Sequence, residues 1–221
     1  MDASLKFLKR DKKFAALIKK HGRPELNRGN NLFQALVRSI VYQQLSGKAA
    51  ATIYRRFTEL FKANPPAGGF PKPEEILQVP FEKLRSVGLS GQKASYILDL
   101  AEKFSDGTIK HKKISKMSTE EVTKHLTQIK GVGVWTVHML QIFTLGRLDV
   151  LPTGDLGVQK GFQIHYKLKK LPTPKDMERL AAPWREHASV VSWYMWRLAD
   201  EAKLSKIKKL PKREKKKAGR G

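Results

Sequence analysis

The chain has 221 residues, of which 40% are hydrophobic, so it can bury one sizeable core or two small lobes and is too apolar for wholesale disorder. It carries 44 Lys and Arg against 20 Asp and Glu, and the formal net charge of +24 predicts a polyanionic partner. The absence of cysteine excludes disulfides, a thiol nucleophile, Cys-ligated zinc and iron–sulfur clusters.

Apolar residues recur at spacings of three and four along most of the sequence, which is the period of an α-helix. Sustained strand-like alternation is hard to find, so the pattern predicts an all-α protein. A capping box at Ser118 and Glu121 and the pair Thr173-Pro174 support this class. The predicted helices span residues 4–20, 31–61 with a possible break at 45–47, 73–78, 81–87, 91–105, 118–129, 134–146, 155–167, 174–181 and 184–201.

The two ends of the chain differ in character. No apolar run approaches the roughly 20 residues of a membrane-spanning helix, and residues 1–10 lack the core of a signal peptide. We therefore expect an intracellular protein without a membrane partner. Residues 202–221 hold ten Lys or Arg and one Glu, and we predict that they form a basic, disordered tail. Such a tail suits a nuclear localisation signal or a nonspecific grip on DNA.

A glycine-containing turn lies between two predicted helices at residues 129–136, Ile-Lys-Gly-Val-Gly-Val-Trp-Thr. Gly131 and Gly133 allow a tight reversal that leaves backbone N–H groups pointing outward at a helix N-terminus, a geometry that binds phosphate. A Gly-x-Gly sequence alone more often marks an ordinary helix-helix turn. The adjacent Lys130 and the charge of the whole chain favour contact with a nucleic acid backbone.

A carboxylate stands at the start of a later predicted helix, in residues 149–158, Asp-Val-Leu-Pro-Thr-Gly-Asp-Leu-Gly-Val. Taken alone, Asp155 is most simply an N-cap. Gly154 and Gly157 beside it allow a ligand to come close, and a carboxylate placed there can stabilise an oxocarbenium-like sugar and orient or deprotonate an attacking water. Both interpretations use the same position.

Five ordered blocks resemble the helix-hairpin-helix superfamily of DNA glycosylases, and within it the DNA-3-methyladenine glycosylase II branch. Besides the hairpin, they are residues 41–50 (Val-Tyr-Gln-Gln-Leu-Ser-Gly-Lys-Ala-Ala), 88–94 (Gly-Leu-Ser-x-x-Lys-Ala), 143–147 (Phe-Thr-Leu-Gly-Arg) and 151–158 (Leu-Pro-Thr-Gly-Asp-Leu-Gly-Val). The likeness covers roughly residues 25–200 and leaves no room for the N-terminal β domain of some members, which indicates the compact form. It implies two helical lobes that flank a DNA-binding cleft, with residues 1–39 and 147–201 in one lobe and 40–146 in the other.

The resemblance also implies a mechanism. Members that cleave the strand as well carry a lysine two residues after the second hairpin glycine, where its amine forms a Schiff base with the sugar. Trp135 occupies that position here. The resemblance therefore implies a monofunctional enzyme in which Asp155 is catalytic, water is the nucleophile and the product is an abasic site. We expect no metal and no organic cofactor.

Further site residues are assigned by the same resemblance and by the aromatic residues. An alkylated purine is cationic, so an electron-rich aromatic pocket would favour it by stacking and cation–π attraction, and we expect Trp135, Tyr42 and Trp196 to form that pocket. The turn at Gln44 and Leu45 matches the wedge that fills the gap left by a flipped base, although Leu45 could equally lie in the core of a kinked helix. Contacts to the DNA backbone are expected from Lys130, Gly131, Val132, Gly133, Val134, Thr136, Ser90 and Lys93.

The sequence leaves the substrate partly open. Double-stranded DNA with damaged bases is the expected partner of a monomeric enzyme that removes 3-methyladenine or 7-methylguanine. A glycosylase for hypoxanthine, ethenoadenine or uracil would have the same fold. A noncatalytic damaged-DNA-binding protein is a rival of another class, against which Asp155 and Trp135 argue because phosphate binding needs neither. An RNA-binding protein fits the charge but explains neither the ordered blocks nor the carboxylate.

Overall fold

The computed structural model of the protein describes residues 1–26, 29, 31–61 and 69–208, and within α12 below it leaves the side chains of 206–208 undescribed. The described residues are helical and contain no strand, which confirms the predicted all-α class. The α-helices are, in chain order, α1 (Asp2–Leu8), α2 (Lys12–His21), α3 (Leu32–Tyr42), α4 (Gly47–Glu59), α5 (Pro73–Leu77), α6 (Phe81–Ser86), α7 (Gly91–Ser105), α8 (Thr119–Leu126), α9 (Val134–Phe143), α10 (Leu156–His165), α11 (Pro174–Ala181) and α12 (Ala188–Lys208). Two 3₁₀ turns add His111–Lys116 and Ala182–His187.

The described chain divides into two compact units. The first comprises Met1–Pro24 and the described residues from Leu151 onward, and the second comprises Glu25–Val150. This division differs from the predicted lobes, whose boundary at residues 39 and 40 falls inside α3. The helix cannot be split there, because Leu36, Val37 and Ile40 share one fully buried face in the core of the second unit.

The second unit is built around α7, which packs against α3, α5 and α6. Ala94, Ile97, Leu100 and Ala101 on this helix are completely buried, because they recur at the spacing that places them on one face. An aromatic cluster fills the space between the helices, with the rings of Phe33, Phe57, Phe70 and Phe104 within about 5–6 Å of their neighbours. Helix α9 begins after the glycine turn, contributes Val137 and Leu140 to this core and carries Trp135 in its first turn.

The first unit is dominated by the packing of α10 against α12. The two helices approach so closely that a Cβ added at Gly161 would lie 2.3 Å from the carbonyl oxygen of Met195. Trp184, Phe162 and Tyr194 are buried in this unit, and the Tyr194 hydroxyl donates a hydrogen bond to the Gly22 carbonyl at 2.8 Å. The glycine on α10 therefore sets the position of α12.

Several predicted element boundaries are wrong. The single helix predicted over 4–20 is interrupted at Asp11, whose side chain accepts hydrogen bonds from Lys13 and Phe14 N–H and begins α2. The helix predicted from 184 begins only at Ala188, because Trp184 has non-helical dihedral angles after Pro183. The 3₁₀ turn at His111–Lys116 was not predicted. Residues 202–208, predicted to be disordered, continue α12, while 209–221 lie outside the described residues.

Candidate active site

Asp155 is the N-cap of α10, in the first unit. Its backbone is extended, with φ −82° and ψ 117°, and its Oδ1 accepts a hydrogen bond from the Val158 N–H at 2.9 Å. The side chain is buried. The cap therefore exists, and it holds the carboxylate at the positive end of a helix dipole, where negative charge is favoured.

Trp196 on α12 makes a second contact with this carboxylate. Its indole Nε1–H donates to Asp155 Oδ1 at 2.8 Å, so one oxygen accepts two hydrogen bonds. The other aromatic residues of the segment, Trp184, Trp193 and Tyr194, are buried in the unit. Trp196, in contrast, is only partly buried, and its indole N–H orients the Asp155 carboxylate.

Gly157 makes the contact between Trp196 and Asp155 possible. A Cβ at this position would lie 2.8 Å from Trp196 Cδ1, which is closer than Cβ atoms are found in proteins, and 3.1 Å from Asp155 Oδ1, which is a tight contact. Any side chain at 157 would therefore have to move the indole or the carboxylate.

We expect Gly157→Ala to reduce the excision rate by roughly 10- to 150-fold, because it breaks a hydrogen bond to a charged group worth about 1.5–3 kcal/mol. Trp196→Phe should have a similar effect, since it removes the donor and keeps an aromatic ring. The double variant should be no slower than either single variant, because both changes break the same bond. Single-turnover rates measure this, and additive losses in the double variant would contradict the role of the bond.

The glycine turn at 130–134 lies in the second unit and is held by side chains of α7. Gly131 has φ +77°, and a Cβ there would lie 2.1 Å from the Tyr96 ring, so that ring occupies the place where a side chain would be. Gly133 is the N-cap of α9, and no side chain caps this helix start. Backbone N–H groups in the first turn of α9 therefore have no side-chain cap at Gly133, and such helix ends can bind anions.

Asp99 on α7 anchors the first residue of the turn. Its Oδ2 accepts a hydrogen bond from the Lys130 N–H at 2.9 Å, and its Oδ1 lies 2.5 Å from Lys103 Nζ and 3.6 Å from Lys130 Nζ. Burial alone would raise the pKa of this carboxyl, but the hydrogen bonds and charges of Lys103 and Lys130 outweigh it and lower the pKa below its ordinary value.

We expect Asp99→Asn to lower the free energy of unfolding at neutral pH by about 2 kcal/mol, because hydrogen bonds to the charged carboxylate weaken. A lowered native pKa stabilises the fold above about pH 4 and loses this contribution as the pH falls through the native pKa. The difference between wild type and variant should therefore shrink below about pH 4. Urea unfolding across pH checks this, with exposed Glu102→Gln as the control, and a difference that stays constant would show that the charge is not responsible.

A cavity of about 660 Å³ lies between α3 and α9 in the second unit. Its lining includes Tyr42, Trp135 and Met139, and the Trp135 side chain is 54% exposed. The Arg38 guanidinium lies 4.9 Å from the centre of the Tyr42 ring. The structure thus brings two of the three predicted pocket aromatics to one open cavity, whose volume lies within the range of small-molecule sites. The full lining is Ala35, Arg38, Ser39, Tyr42, Gln43, Gln44, Trp135, Thr136, Met139, Leu140, Phe143 and Thr144.

The predicted wedge residues form an exposed turn between α3 and α4. Gln44 has φ +56°, in the left-handed region that non-glycine residues rarely occupy, and its side chain is exposed. Leu45 is 40% exposed. The alternative in which Leu45 lies in the core is therefore wrong, because the chain breaks between the helices and turns both side chains outward.

The predicted DNA-contacting residues occupy different environments. The side chain of Lys130 is exposed, as are Gly131, Gly133 and Val134. Val132 and Thr136 are buried, and Thr136 lines the cavity described above. Ser90 caps α7, because its hydroxyl oxygen accepts a hydrogen bond from the Lys93 backbone N–H. The Lys93 ammonium donates to carbonyl oxygens of α3 and its C-cap, as described below.

Sequence reasoning missed three residues that support these loops: Asp99, Tyr96 and Gln43. The Gln43 side chain donates to the Gly131 carbonyl at 2.8 Å, and Tyr96 lies against the same glycine. A sequence signal existed for the α7 residues, because 93, 96 and 99 recur at a spacing of three and share a helix face. Among the described residues, no cluster of three or more His, Cys, Asp or Glu could hold a metal ion.

Comparison with known proteins defines the class. Residues 37–186 match the model of the HhH-GPD superfamily base excision DNA repair protein. The chain belongs to this superfamily, which confirms the resemblance found in the sequence.

Individual relatives are similar over most of the chain. DNA-3-methyladenine glycosylase 1 of Schizosaccharomyces pombe is 37% identical over 209 residues, covering 90% of this chain and 89% of the relative. The structure of the 3-methyladenine DNA glycosylase Mag1 from that yeast, in complex with abasic DNA, matches with a TM-score of 0.72 and 33% identity, covering 90% of this chain and 97% of that one. The DNA-3-methyladenine glycosidase of Bacillus halodurans matches with a TM-score of 0.79 and 34% identity over 90% and 89%.

Proposed function

We propose that this protein is a monofunctional DNA glycosylase of base excision repair that removes alkylated purines of the 3-methyladenine and 7-methylguanine type. The observation that carries the proposal is the buried Asp155 carboxylate, fixed by the Val158 N–H and the Trp196 indole at the start of α10. A structural cap needs no second donor. Two donors on one oxygen hold the carboxylate in a fixed direction, as an electrostatic catalyst requires.

The reaction follows from the charge of the substrate. The C1′–N bond breaks with its electron pair passing to the purine, whose positive charge is thereby neutralised. The sugar becomes oxocarbenium-like, and the negative Asp155 stabilises it. Water then forms the C1′–O bond and loses its proton to Asp155 or solvent. The products are a free base and an abasic site, and the strand stays intact because Trp135 stands where a Schiff-base lysine would be required.

The cavity of the second unit is the proposed base pocket. Trp135 offers an exposed electron-rich ring, and a cationic alkylated purine gains more from such a ring than a neutral purine does. Tyr42 lines the same cavity, with one face of its ring against the Arg38 guanidinium. In this proposal Trp196 acts through Asp155. Discrimination therefore arises from stacking a cation on an aromatic ring, and a good leaving group removes the need for a strong general acid.

Double-stranded DNA is the proposed partner of the monomer. The turn at 130–134 would bind a phosphate through backbone N–H groups at the N-terminus of α9, and Gln44 or Leu45 would fill the space of the flipped base. None of the described helices is both long and apolar enough to cross a membrane. We propose that the protein acts where genomic DNA lies, which is the nucleus if the source is eukaryotic.

The test is release of free 3-methyladenine and 7-methylguanine from methylated duplex DNA, measured by chromatography. We expect both bases to appear and the strand to break only after alkali treatment. Strand breaks without alkali would contradict the monofunctional mechanism. Tight binding to methylated DNA without release of any base would favour the noncatalytic alternative.

A further inference from the structure

Lys93 makes contacts that a phosphate-binding lysine would not need. Its Nζ donates to the Val41 carbonyl at 2.8 Å and to the Gln43 carbonyl at 2.6 Å, and the side chain is partly buried. These carbonyls belong to the last turn and the C-cap of α3, where helix carbonyls lack partners within the helix. Burial lowers the pKa of this ammonium. A cation at a helix C-terminus also interacts favourably with the negative end of the helix dipole.

The contacts fall directly before the protruding turn. Gln44 follows Gln43 with φ +56°, a conformation that is strained for a non-glycine residue and persists only when the surroundings enforce it. On the far side, Ser46 caps α4 by accepting a bond from the Ala49 N–H. Lys93 therefore holds the entry to the turn, and Ser46 holds its exit.

The same support reaches the phosphate turn. Gln43 joins the two loops through its bond to the Gly131 carbonyl, and Tyr96 and Asp99, on the face of α7 that carries Lys93, contact Gly131 and Lys130. One face of α7 thus supports both the exposed Gln44-Leu45 turn and the glycine turn. Movement of one loop would strain the bonds that hold the other.

We propose that Lys93 is a positioning residue that holds the Gln44-Leu45 turn in its protruding conformation, and that this support, instead of a phosphate contact, is its part in DNA recognition. The inference rests on the proposed function, because it assumes that the turn enters the space of a flipped base. Two of the three Lys93 N–H donors are engaged by carbonyls that hold the turn, so at most one donor is left for a phosphate.

The test compares Lys93→Met, which keeps the length of the side chain and removes the donors, with Lys83→Met. Lys83 is exposed on α6, so its loss removes the same charge without touching either loop. We expect Lys93→Met to slow excision of 7-methylguanine from a matched duplex about 30-fold, because it removes hydrogen bonds donated by a charged group. The rate of Lys83→Met should stay within about twofold of wild type. Lys93→Arg, which keeps a donating cation, should recover most of the rate.

Two readouts separate positioning from a general structural loss or a phosphate contact. Lys93→Met should be less defective when the lesion lies opposite a mismatch, because flipping then costs less. Its binding to undamaged duplex should keep the salt dependence of Lys83→Met, whereas loss of a phosphate contact would reduce the slope by about 0.9 more. A reduced slope, or an equal defect on matched and mismatched duplexes, would overturn the proposal.

The fluorescence of 2-aminopurine placed beside the lesion reports base flipping without bond cleavage. Lys93→Met should give a smaller increase on binding than wild type and Lys83→Met, and an equal increase would overturn the inference. If circular dichroism shows that Lys93→Met does not fold, Lys93→Gln takes its place; it keeps two uncharged N–H donors on a shorter side chain and should show an intermediate loss. Failure of every variant, wild type included, to release a base would contradict the proposed function, while the fluorescence would still decide the role of Lys93.

Discussion

Asp155→Asn is expected to reduce base excision by on the order of 10³-fold, which corresponds to about 4 kcal/mol of transition-state stabilisation. Asparagine retains an oxygen that can cap α10 at the Val158 N–H and accept from Trp196, so the shape of the site should survive. The substitution removes the negative charge, which the oxocarbenium-like sugar requires. DNA affinity should therefore change little.

The measurement is the single-turnover rate of 7-methylguanine release, together with the dissociation constant for the same duplex. Asp11→Asn is a matched control, because Asp11 is also the N-cap of a helix in the first unit and accepts from the Lys13 and Phe14 N–H groups. It should leave the rate unchanged. Retained turnover in Asp155→Asn would remove the residue from catalysis and leave it a cap, and an equal loss in both variants would point to destabilisation of the unit.

The residues predicted best from the sequence are those whose chemistry is local. Asp155, Gly131 and Gly133 each lie within a short segment in which the glycines, the helix start and the functional group are neighbours in the chain. The N-cap and the turn could therefore be inferred from sequence spacing. The structure adds what the cap is bound to, since Trp196 is 41 residues away from Asp155.

The residues that support the loops could not be predicted in this way. Lys93 is 52 residues from Val41 and 50 from Gln43, and Asp99 is 31 residues from Lys130. Such pairs depend on how α7 packs against α3, which periodicity does not specify. The resemblance therefore assigned Lys93 to DNA contact, while its packing makes it a partner of backbone carbonyls.

Errors in the helix boundaries have a related physical cause. The break before α2 depends on the side chain of Asp11 capping the next helix, although the flanking residues can all continue a helix. At the other end, residues 202–208 were predicted to be disordered because they lack an apolar face. They extend α12 because Ala, Lys and Leu favour helix intrinsically, and Leu204 remains 57% exposed.

Gly131→Ala should destabilise the protein by about 3 kcal/mol, because it combines a strained positive φ with steric overlap against the Tyr96 ring. Gly133→Ala provides a matched control in the same turn. Its φ is −91°, and an added Cβ would meet nothing within 4 Å, so the free energy of unfolding should stay within about 0.5 kcal/mol of wild type. Urea denaturation of the two variants measures the difference.

The Tyr96 ring provides a test of the cause. In a Tyr96→Ala background the overlap is gone and only the strain of φ +77° remains, so Gly131→Ala should then cost about 1 kcal/mol. A penalty that is unchanged in this background would mean that the ring does not limit position 131.

Gly133→Ala has a separate use in DNA binding, because its methyl group would obstruct close approach of a phosphate to the N-terminus of α9. If the turn binds phosphate, Gly133→Ala should weaken binding without unfolding the protein, and Gly131→Ala should do both.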